Sequence, residues 1–123
     1  MTTTALAITA MPAGTVIEDV AGTAIDATKT MVVTPTDRFD KLILRIVHTT
    51  AAAKTLVIKK GTAVAASSSG QGDLTVVLDD ATAADVVTFV TGLESARFLQ
   101  ADGSINITFA ASTTGFVTAF QLD

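Results

Sequence analysis

Apolar residues recur at every second position in short runs along this chain, the spacing of strands that bury one face. The clearest run is Lys41-Leu42-Ile43-Leu44-Arg45-Ile46-Val47-His48. Leu42, Leu44 and Ile46 share one side, continued by His48, and Ile43 and Val47 stand on the other with Lys41 and Arg45. Both sides are largely apolar, which predicts a strand inside a sheet rather than at its edge. Thr55 to Lys60 follows across a polar segment, 49–53, and is its expected hairpin partner. Asp73 to Leu78 predicts a strand with Leu74, Val76 and Leu78 inward, and Asp85 to Thr91 predicts another. Upstream, Leu6, Ile8 and Ala10 alternate, Thr15 to Val20 is a further candidate, and Ile25 to Val33 contains a strand with Met31 and Val33 on one side. The last thirty residues hold three more runs: Leu93 to Gln100, Ile105 to Phe109 and Gly115 to Leu122. Polar turns separate them, the first through Asp102-Gly103, where glycine supplies the positive φ of a tight turn. The pattern predicts an antiparallel meander there.

Eight to ten short strands at this spacing, with no amphipathic helix, predict an all-β fold: a single-domain antiparallel β-sandwich or barrel, jelly-roll-like in type. Met11-Pro12-Ala13-Gly14 breaks the first alternating stretch. Residues 1–14 are therefore expected as an extended N-terminal arm and 15–123 as the sandwich domain. Gly61 to Gly72 is the longest expected loop, rich in alanine and serine. Asp79 to Ala84 reads as a capped helical turn or a plain polar turn.

Composition adds a limit. Alanine and threonine make up about a third of the 123 residues, and small or β-branched side chains suit a pleated surface but fill little core volume. That predicts a thin core and contact with neighbouring chains. The net charge is −4, and residues 61–123 carry seven acidic side chains against the single Arg97. Nucleic-acid binding needs a clustered cationic surface, which this balance does not supply. Lys59-Lys60 is the only adjacent lysine pair and reads as a solvated strand end. The absence of cysteine excludes disulfides and thiolate metal sites. No apolar run reaches the length of a membrane helix, and the first residues lack the basic start of a secretory leader.

Candidate chemistry is sparse. His48 is the one histidine, and a metal site needs several ligands, so it is expected at the sheet rim, bonded to backbone. Asp79-Asp80 and Asp37/Asp40 are the carboxylate clusters. Neighbours on a strand point to opposite faces, so the first is a poor acid–base pair, and turn chemistry accounts for both. Gly70-Gln71-Gly72-Asp73 lacks the lysine and helix of a phosphate loop, and Ser67-Ser68-Ser69 lacks the nucleophile-elbow pattern. The six phenylalanines, four of them beyond residue 93, are assigned to core packing. No enzyme activity, cofactor or metal is expected.

Over residues 37–122 the chain resembles a family of small virion proteins of tailed bacteriophages, the head decoration or capsid cement proteins. The residues that carry this are Asp40 to Leu44, Gly72 to Leu78, Leu93 to Gln100, Asp102-Gly103-Ser104 and Gly115 to Leu122. The 61–72 segment departs from the family pattern in having no proline. The resemblance implies a structural protein made in the host cytoplasm that binds the major capsid protein on the outer surface of the shell, as a homo-oligomer and typically a trimer. It implies no nucleic-acid or membrane partner. Two contact regions are expected. One is the arm, through Leu6, Ile8, Met11 and Pro12; the other is the long loop, through Val64, Ser68 and Gln71. Other readings are a tail-tube, tail-tip or head-completion component, a carbohydrate-binding sandwich (disfavoured by the lack of Trp and Tyr platforms), and last a small hydrolase.

Overall fold

The computed structural model describes residues 2–12, 14, 16, 20, 22–35, 41–62, 72–93 and 95–122. Two sheets pack face to face. Strands β1 (Thr3–Ala5), β4 (Thr30–Val33), β9 (Ile105–Phe109), β6 (Lys54–Ile58) and β7 (Leu74–Leu78) form the first, in that order. Strands β2 (Ile8–Met11), β10 (Gly115–Leu122), β5 (Leu42–His48) and β8 (Val86–Val90) form the second, with the short β3 (Thr23–Ala24) also on β10. One helical turn, α1 (Ser95–Phe98), lies between β8 and β9. The pairings are antiparallel except at the arm, where β1 runs parallel to β4 and β2 parallel to β10.

The alternation in β5 is realised as read. Leu42, Leu44, Ile46 and His48 are fully buried, and the strand is flanked by β10 and β8. Facing it across the interior are Met31 and Val33 of β4, Leu56 and Ile58 of β6, and Ile105 and Ile107 of β9. These medium-sized aliphatics, with Phe98, Phe109 and Leu93, make one continuous core. Burying aliphatic side chains of this size is worth about 1.5–3 kcal/mol each before ordering costs.

Strand partners differ from the expectation in two places. β5 and β6 do not form a hairpin, because residues 49–53 carry the chain from the second sheet to the first. The C-terminal runs form no meander: 95–98 is α1, and residues 110–114 cross from β9 in the first sheet to β10 in the second. The reason is chemical as well as steric. The two crossovers are tied together by threonines. Thr49 N donates to Thr114 O at 3.1 Å. Thr114 N donates to Thr50 Oγ1 at 2.8 Å, and the Thr49 and Thr114 hydroxyls lie 2.7 Å apart. Backbone groups leaving each sheet are satisfied there, so a hairpin is not needed to pair them. At Gly115 the chain enters β10 with φ +136°, and a methyl group there would collide with the Val47 carbonyl.

Two smaller segments resolve within what the sequence offered. The strand contained in 25–33 is β4 from Thr30, with Met31 and Val33 buried on one side. Of the two readings for 79–84, the polar turn holds and the helical turn does not. The expected strand at 15–20 falls mainly outside the described residues.

Candidate functional site

Three exposed or half-buried turns use the same device. In Asp26-Ala27-Thr28, Asp80-Ala81-Thr82 and Asp102-Gly103-Ser104, the carboxylate Oδ1 accepts from both the backbone N–H and the hydroxyl two residues on. These bonds favour the charged carboxylate and hold all three aspartates below the ordinary value. Gly103, at φ +88°, completes the last turn. Asp80 is thereby a turn former.

His48 sits fully buried at the end of β5 rather than on an open rim. Its Nδ1 lies 2.7 Å from the Asp79 carbonyl oxygen. A carbonyl only accepts, so Nδ1 carries the proton. The ring thus fastens the end of β7 to β5, across the two sheets. Among the described residues no three of His, Cys, Asp and Glu come together as a metal site. Asp37 and Asp40 lie outside the described residues.

The most elaborate polar arrangement stands at the base of the long loop. Asp73 accepts from Lys60 N–H at 2.6 Å and pairs with Lys59 Nζ at 3.1 Å. Both interactions lower its pKa, the backbone bond most. Arg97 on α1 donates through Nε to Gly72 O and through Nη2 to Asp73 O, each at 3.1 Å, while its guanidinium lies 4.9 Å from the centre of the Phe98 ring. Gly61 N–H donates to Arg97 O at 2.8 Å. Gln100, buried, donates to Lys60 O at 3.0 Å and accepts from the Thr62 hydroxyl at 3.1 Å. Thr62 in turn accepts from Ala101 N–H. The two ends of the loop, 59–62 and 72–73, are therefore clamped on one helical turn.

Sequence reasoning assigned no role to this clamp. Gly72-Asp73 and Arg97 to Gln100 stood in the residues that carry the family resemblance, but nothing in strand periodicity brings positions 60, 73, 97 and 100 together. Lys59 and Lys60 are exposed just past the end of β6, as read, and Lys59 in addition pairs with Asp73.

The expected contact residues divide. Leu6 is buried in the intramolecular core, with its N–H on Val32 O at 2.8 Å. Within this chain it is a core residue. Ile8 packs against that core from β2, opposite Ala119. Met11 is half-buried at the end of β2, and Pro12 after it is exposed. Val64, Ser68 and Gln71 lie outside the described residues. The phenylalanines also divide. Phe98, Phe109 and Phe120 are buried, whereas Phe89 is 61% and Phe116 41% exposed; Phe39 lies outside the described residues. β8 and β10 turn those two side chains away from the interior, which corrects their assignment to the core.

Comparison with family models, with curated proteins and with solved structures gave no match. Among the described residues no helix is long and apolar enough to cross a membrane.

Proposed function

We propose that this protein is a structural component of a tailed-bacteriophage virion, a decoration protein that binds the outer face of the capsid and stabilises the shell. The observation that carries the reading is the resemblance over residues 37–122. The clamped loop supports it: a segment held at both ends by Asp73, Arg97 and Gln100 is presented from a defined base, as a contact element on a rigid scaffold requires. The exposed apolar side chains support it too. Val77 is 63% exposed and Phe89 61%, more than a small sandwich needs for its own core.

The work of such a protein is area coverage. A ligand that binds the assembled shell and not its separated subunits stabilises the shell by mass action. The test is co-sedimentation of the purified chain with capsids lacking it. Replacing 63–71 by a short Gly-Ser linker should lower occupancy, and Met11→Asp should do so independently. Deleting the whole arm is a poor test, because Leu6 would leave the core with it. Full occupancy by the linker variant and Met11→Asp alike would remove both contact regions. Imaging of labelled protein separates head from tail: label on the tail would replace decoration by the tail-component reading.

A further inference from the structure

The second sheet ends on β8, which among the described residues is paired on one side only, by β5. An unpaired edge is a template for another strand, and natural edges are commonly protected by lysine, proline or a bulge. β8 reads Val86-Val87-Thr88-Phe89-Val90 and has none of these residues. Its outward side chains are apolar and exposed, Val87 at 44% and Phe89 at 61%. By register Val87 lies beside Val47 of β5, and Val47 beside Phe116 of β10. An apolar row thus runs inward from the edge.

We infer that β8 is a self-association edge: two copies of this chain pair antiparallel through it, about a twofold axis at Thr88. The sequence is close to palindromic around that residue. The axis sets Val86 against Val90 of the second copy and Val87 against Phe89, on the inner and outer faces respectively. A β-branched residue opposite an aromatic one is a favourable cross-strand pair. Charge selects the same register. Antiparallel pairing puts Asp85 opposite Thr91, whereas parallel in-register pairing would stack Asp85 on its own copy. β7, which among the described residues ends the first sheet, fails this test. Its own dyad at Val76 would set Asp73 against Asp79. A twofold axis maps the patch onto itself, so a second copy of the chain supplies the matching surface without another partner.

The contact forms between free molecules and does not rest on the virion reading. Sedimentation equilibrium of the full chain, from micromolar to hundred-micromolar concentration and without capsids, should show a species of twice 12.6 kDa. Phe89→Lys should weaken it by about 30-fold or more, as expected of a central aromatic anchor. Val77→Lys on β7 should leave it unchanged. In this cysteine-free chain, Thr88→Cys should give a covalent dimer on mild oxidation, since directly opposed antiparallel residues lie within disulfide reach. The cross-link needs no loss of an apolar side chain, so it decides the matter even where Phe89→Lys compromises folding. A monomer at every concentration, a trimer as the family resemblance implies, or failure of Thr88→Cys to cross-link would overturn the twofold edge.

Discussion

His48 looks like the natural place for chemistry and acts as a fastener. Its N–H is committed to the Asp79 carbonyl, deep in an apolar setting where a lost hydrogen bond leaves an unsatisfied acceptor. His48→Ala removes that bond and opens a cavity. It should lower stability by about 2–4 kcal/mol, read as a lower urea midpoint. Binding to capsids should survive wherever the protein stays folded. Gly115 is the second residue on which the fold turns. Gly115→Ala forces a side chain into a left-handed conformation against the Val47 carbonyl. The expected loss is about 2 kcal/mol or more, and chemical denaturation measures it. Sequence alone suggested that His48 bonds backbone, because a lone histidine lacks co-ligands. It did not give the depth of burial, which depends on β7 closing over the strand end.

Among the elements, strand existence was legible and strand partnership was not. Period-two alternation located β5, β7, β8, β9 and β10 within a residue or two, because burial of one face leaves that mark. Nothing in it says which strands lie side by side. The 49–53 and 110–114 segments have the length of hairpin loops yet join different sheets, and mutual threonine bonds tie the two crossings together. The loop clamp was invisible for the same reason: its four key residues come from three separate stretches. Its acid response follows from Asp73. The folded-state pKa lies below the ordinary 3.8, so the stability it contributes is complete above that value and is lost as pH falls through the folded value. The turn aspartates 26, 80 and 102 shift in the same direction. Thermal stability should therefore hold from neutral pH down to about 5 and decline below about 4. Asp73→Asn should flatten part of that decline in a pH series of melting curves. A series that declines equally in the variant would remove Asp73 from the clamp's energetics.

The whole molecule is a two-layer sandwich in which, among the described residues, β1 and β7 stand at the ends of the first sheet and β2 and β8 at the ends of the second. Among the described residues, Val77, Val87, Phe89 and Phe116 are exposed on outward strand faces, and polar networks gather at the loop base, the threonine crossovers and the aspartate turns. This distribution suits a protein whose action is to cover surface. As proposed, it recognises an assembled shell. The direct measurement is binding of the purified chain to intact capsids lacking it and, in parallel, to the same capsid subunits dissociated. Saturable binding to intact shells with a raised shell melting temperature, and none to dissociated subunits, is the predicted result. Equal affinity for free subunits, or no binding to shells at any concentration, would contradict it.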